Sequence, residues 1–227
     1  MKTQTDKYRR SFIRKGLLFA IVAFIAFPSC ISEKSNSQSA STENIKYNTV
    51  AAQQDRFFGW PANNGLWQWD NGREILVGFT NGNFEEQDGH NIGDERLTNL
   101  ARSTDGGETW VREDPENFVG DEGDVKSSPG DIRFGHPDFA LRVAATGYHG
   151  TRDKDGRFFV SYDRGKNWEG PYRFNGLNDD ENLEGMEFTS RTNYRITGEN
   201  SIQVYMTARN RELEFGNRLD KPFIAES

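Results

Sequence analysis

Cysteine is nearly missing. The chain has 227 residues and one Cys, Cys30, so nothing after that position can form an internal disulfide. Long apolar runs are also missing, apart from one near the start. That run, Leu17 to Phe27, is short for a membrane span, which needs about 20 apolar residues. Beyond it no stretch repeats with helical period, which excludes a helical bundle. Positive charge is in deficit. The 28 Lys and Arg against 35 Asp and Glu leave a formal charge of −7, which argues against a nucleic-acid partner. Histidine is scarce, and His90, His136 and His149 show no short ligand spacing. No metal or cofactor is expected. Asp121 to Asp124, "DEGD", is only a loose match to a calcium loop and reads as a solvated charge run.

Glycine and aromatic residues are plentiful, with 23 Gly and 13% Phe, Trp and Tyr. The front of the chain stands apart from the rest. A basic stretch (Arg9, Arg10, Arg14, Lys15) precedes the apolar run, which is the order of a signal peptide. Residues 1–29 are assigned to it. "RRSFIRK" is similar to a twin-arginine export signal, and a plain secretory signal with two arginines is the other reading. Cys30 follows in "AFPSC" and resembles the acylated cysteine of a lipobox. The other reading is an incidental cysteine in a cleaved peptide. Residues 30–54, polar and Ser- and Asn-rich through position 48, read as a flexible tether. The expected product is exported and held at the cell envelope by a lipid on Cys30.

The body, residues 55–227, shows apolar period two in short runs divided by Gly, Asn and Asp. "GLWQWDNGREILVGF" predicts two strands around Asn-Gly. "RLTNLARSTDGGETWVRE", "GRFFVSYDRGKNWEGPY" and "RTNYRITGENSIQVYMTAR" predict three more hairpins. The fold class is all-β. Two hairpins carry one pattern: Ser, any, Asp, any, Gly, any, Thr or Asn, Trp. It runs Ser103, Asp105, Gly107, Trp110 and again Ser161, Asp163, Gly165, Trp168, 58 positions apart (161 − 103). The Asp accepts hydrogen bonds from its own turn, the Gly takes positive φ, and the Trp packs between neighbouring sheets. Such a period of short antiparallel strands suggests a β-propeller.

Both stretches resemble the Asp box, or BNR repeat, of the sialidase superfamily. "FFGWPANNGLWQW", "ILVGFTNG", "HPDFAL" and "SRTNY" extend the resemblance to a bacterial exo-α-sialidase-like subgroup over most of residues 55–220. The resemblance implies a six-bladed propeller, of which residues 55–227 hold slightly under three blades. Ser227, 66 positions after Ser161 (227 − 161), stands where a third box would begin. Further blades are therefore expected downstream. The resemblance also makes Asp105 and Asp163 structural, on the rim away from the active centre.

In that family three arginines hold a substrate carboxylate, a Tyr backed by a Glu is the nucleophile, and an Asp is acid and base. A planar guanidinium suits a carboxylate because it binds with two parallel hydrogen bonds. Gly59 stands where the first family arginine is usual, with Arg56 as its substitute. Asp88, followed by Gly89, matches the acid/base position, set against the reading of a solvated acidic loop. His90 is a candidate substrate contact beside it. Arg191 and Arg209 are candidates for binding the acid, and Glu187 for the third-blade Glu. Trp60 is a candidate for stacking on a sugar ring, whereas Trp67 and Trp69 share a strand face and read as core. The family's last arginine and its Tyr come later than residue 227. The implied activity is hydrolysis of a bond to an acidic sugar on a glycan, not completed by this stretch alone. A uronate-specific polysaccharide lyase and a non-catalytic glycan-binding propeller are the alternatives.

Overall fold

Alternation decides the strands. Leu66, Trp67, Gln68 and Trp69 point out, in, out, in, and Ser201–Arg209 buries every second residue, the period-two signature of a half-buried strand. The computed structural model describes residues 45–115, 123–144, 156–210 and 220–227. Cys30, the signal peptide and His149 lie outside the described residues, as do Asp121 and part of the tether. Every element below belongs to one unit, Lys46–Ser227.

Among the described residues eleven strands form three antiparallel sheets, none of them closed. The first holds β1 (Arg56–Gly59), β2 (Leu66–Trp69), β3 (Glu74–Asn83), β4 (Leu97–Ser103) and β5 (Val111–Glu113). The long β3 pairs with β2 along its first half and with β1 along its second. The second sheet is β6 (Ala140–Ala144), β7 (Arg157–Ser161) and β8 (Glu169–Tyr172). The third is β9 (Glu187–Gly198), β10 (Ser201–Arg209) and β11 (Asp220–Glu226), with β10 central. The Asn-Gly turn sits between β2 and β3, where Asn71 and Gly72 take φ of 55° and 84°.

Two apolar layers join the sheets. Trp67, Trp69, Leu76 and Leu100 of the first sheet meet Ala140, Ala144, Phe159 and Trp168 of the second. Leu141, Val143, Phe158 and Val160 of the second meet Phe188, Ile202, Val204 and Met206 of the third. Both faces of β6 and β7 are thus covered, and all ten of their residues are buried. Strands enclosed on both sides lose alternation and read as apolar runs.

Strands β1, β6 and β11 lie outside the four hairpins read from the sequence, and so does one α-helical element. Pro61–Asn64 form α1, a single helical turn. Trp60 enters it at φ 55° and Pro61 sets its first position, where its missing N–H costs nothing. Gly65 leaves it at φ 105°. The turn lies against β3 so closely that a Cβ on Gly78 would stand 2.8 Å from the Asn64 carbonyl oxygen.

Candidate functional site

The two repeated turns match bond for bond. Ser103 Oγ donates to Asp105 Oδ1 at 2.7 Å and accepts from Gly107 N at 2.8 Å. Ser161 Oγ does the same with Asp163 and Gly165, at 2.8 and 2.9 Å. Each Asp accepts the backbone N–H groups three and four positions on through one oxygen, and a side chain through the other. That side chain is Thr109 Oγ1 in one turn and Asn167 Nδ2 in the other, both at 2.6 Å. Each Trp indole donates to its Gly carbonyl at 3.0 Å. The hydrogen bonds from Thr109, Ser103 and Glu108 hold the Asp105 carboxyl well below the usual range. Burial pushes the Asp163 carboxyl up, but hydrogen bonds from Asn167, Ser161 and Lys166 outweigh it and leave it low. The tryptophans differ. Trp168 is buried between the first two sheets. Trp110 is only partly buried, on the far face of the first sheet against Val77, Phe79 and Ala101.

Both turns lie at one end of the sheets. Arg164, inside the second turn, reaches back to Asp70 and Glu74 of the first sheet at 2.6 Å and also holds Asp138. Arg102, next to Ser103, donates to the Arg164 carbonyl at 3.0 Å and grips Glu113 with two nitrogens. Glu74 bridges the two arginines. In the third sheet the β9–β10 hairpin faces this end, since Gly135 N donates to the Glu199 carbonyl.

The opposite end carries the polar candidates. The β3–β4 loop, residues 84–96, leaves the sheet there, because β3 ends and β4 begins at that side. Its tip is Asp88 and Gly89, closed by Gln87, whose amide donates to the carbonyls of His90 and Ile92 at 2.9 and 2.6 Å. Asp88 and His90 are exposed. His90 lies edge-on to Trp60, 4.9 Å between ring centres, and Trp60 also meets Phe57. Arg56 reaches Asn81 at 2.9 Å and Asn83 at 2.6 Å, and Asn81 continues to Asn99 at 2.7 Å. Arg209, at the same end of the third sheet, forms a two-nitrogen pair with Asp220 and stands opposite Glu187 in register. Arg191 lies on β9 toward that end and is exposed. The fold therefore gathers Asp88, His90, Trp60 and Arg56 around the first sheet. It places Arg191, Arg209 and Glu187 on the third.

Arg142 did not stand out in the sequence. It is 1% exposed, donates to Thr98 Oγ1 at 3.4 Å and lies over the Phe159 ring at 5.6 Å. Its signal was available: an arginine inside the apolar stretch "FALRVAA" needs a reason to be there. Thr98 leads on to Asn64 of α1, and Asn64 to Thr80. A buried guanidinium thus sits beneath the polar end of the first two sheets.

Tyr194 is a phenol in the interior, pushed up to about 12 by burial. Its oxygen accepts the Leu141 N–H at 3.3 Å. It is held neutral as a structural link between the third and second sheets. Among the described residues no group of three or more His, Cys, Asp or Glu side chains could hold a metal ion, and no helix is long and apolar enough to cross a membrane. His136 accepts the Asp138 N–H and packs on Tyr162.

No family model matches this chain, and no curated protein matches it as a relative.

Proposed function

We propose that this protein is a sialidase-like β-propeller domain of the cell envelope that acts on glycans bearing acidic sugars. Its sheets are taken as blades. The end opposite the two Asp boxes is taken as the glycan face. One observation carries the reading. The serine–aspartate turns lie at one end of the sheets, and the other end carries Arg56 and the Asp88 loop on the first sheet and Arg191 and Arg209 on the third, with Arg142 buried beneath. Guanidinium groups are suited to a sugar carboxylate. In the hydrolytic version Asp88 gives its proton to the leaving glycosidic oxygen as the bond to the anomeric carbon breaks. Water then attacks the anomeric carbon, leaving its hydroxyl on the released sugar and returning its other proton to the Asp88 carboxylate. Trp60 and His90 flank the loop as contacts for the ring.

A second reading is favoured by how the cations are engaged. Arg56 is taken up by Asn81, Asn83 and Glu95, and Arg209 by Asp220. A face whose arginines are already paired suits recognition without turnover. Incubation of the full chain with sialylated and uronate-containing glycans separates the cases. Free sialic acid marks the hydrolase, and an unsaturated uronate marks a lyase. Retention on a glycan array without either product marks a binding module. Absence of both product and retention sinks the proposal.

A further inference from the structure

A cavity of about 400 Å³ opens between the second and third sheets, lined by Leu141, Phe158, Ile202, Val204, Ala225 and Ser227 among others. Its lining has a counterpart one sheet earlier. Trp168 follows Ser161 by seven positions and is packed in a cluster with Leu76, Leu100, Ala140 and Phe159.

Counted from Ser103 at the end of β4 and Ser161 at the end of β7, those residues have fixed places, and Ser227 directly follows β11. Leu100 is three before Ser103, and Leu76 is the cross-strand partner of the residue one before it. Both belong to the preceding sheet. Phe159 is two before Ser161, and Ala140 is the partner of Ser161 itself. Both belong to the Trp168 sheet. Moved on by one sheet, the same four places are Phe158, Leu141, Ala225 and Ile202. Leu141 pairs with Val160, and Ile202 exchanges two backbone hydrogen bonds with Ser227. All four line the cavity. Strand pleating explains why the mapping holds. Residues an even number before the serine face the preceding sheet, and odd ones face the next. Ala225 is packed inward and Ile224 is 52% exposed, as that rule demands.

We propose that this cavity is a tryptophan seat: it accepts the indole of a serine–aspartate turn whose serine is Ser227. The fit does not depend on any reaction at the other end of the sheets. An indole placed there would bury its faces against Leu141 and Phe158 on one side and Ala225 and Ile202 on the other.

The test extends the full chain after Ser227 by seven residues that repeat the sequence of Thr104–Trp110, so that the added Trp falls seven positions beyond Ser227. A second extension ends in Ala instead. The Trp extension should melt several degrees above the Ala extension. The difference between their fluorescence spectra should be the blue-shifted emission of a buried indole, protected from acrylamide. Equal melting temperatures, or the emission of a solvent-exposed indole, would overturn the proposal. So would a gain shared equally by both extensions, because the turn and not the indole would then account for it.

Discussion

The rings of Trp67 and Trp168 meet 5.4 Å apart at an angle of 58°. One comes from β2 and the other from the second serine–aspartate turn, so the contact fastens two sheets through residues about a hundred positions apart. Trp168 is 2% exposed. Replacing it with Ala removes a large buried ring and is expected to cost about 3–5 kcal/mol. Urea unfolding of the full chain checks this. A loss under about 1 kcal/mol would show that the sheets do not rely on the turn, well short of a normal core deletion.

Acid should act on both turns. Asp105 and Asp163 are held below the ordinary carboxyl range. A depressed folded-state value means the stabilisation is complete above the unfolded value, about 3.9. It is lost as pH falls from there through the folded value. The Asp105→Asn, Asp163→Asn double variant should be less stable than the parent at neutral pH. The gap should shrink as pH drops below about 4. Thermal melts across that window report it, and a gap that widens in acid would contradict the assignment.

Glu74 is 14% exposed at its side chain and serves Arg102 and Arg164 together. Glu74→Gln keeps the shape and removes the charge. It should cost about 1–3 kcal/mol, the range for a hydrogen bond to a charged group left poorly matched. Denaturation at low and high salt is the measurement. An unchanged midpoint would mean Arg102 is satisfied by Glu113 alone.

Thr192 holds φ 52°, an unusual region for a β-branched residue. Its hydroxyl accepts the Val143 N–H and donates to the Val143 carbonyl, both at 3.1 Å. Thr192→Val keeps the branch and strands both backbone groups, so a loss of about 1–3 kcal/mol is expected. Thr192→Ser keeps the hydroxyl and should recover most of it. Equal stability of the two variants would show that the hydroxyl is not what holds this residue.

For the proposed hydrolase, Asp88→Asn should lower turnover by about 10²–10⁴-fold, the usual span for losing a general acid. Its melting temperature should not move, since Asp88 is exposed at a loop tip. Turnover unaffected by the change would remove Asp88 from the mechanism.

The strands were legible because period two survives wherever one face is wet, as in Leu66–Trp69 and Ser201–Arg209. The turns were legible because serine, aspartate and glycine at fixed offsets have one good use. The turn at Pro61–Asn64 was not, since four residues are too few to show a helical period. Its shape comes from Trp60 and Gly65 at positive φ. The position of Trp110 was missed for another reason. Its sequence matches Trp168, but what it packs against depends on the neighbouring segment, here Val50, Ala51 and Phe58. The polar end was only half visible. Asp88 and His90 sit in a loop that announces itself, whereas the role of Arg142 depends on Thr98, 44 positions away in the chain.

Among the described residues the outer edge of β6 does not pair with another strand. Trp67 Nε1 donates to the Leu141 carbonyl, the Tyr194 phenol takes the Leu141 N–H, and Thr192 occupies both groups of Val143. Three side chains from two sheets thus fill the rungs that an incoming chain would use. An open strand edge is an invitation to aggregate. Here a fully buried strand offers no ladder to climb, so growth of fibrils from this edge would first have to evict a tryptophan, a tyrosine and a threonine.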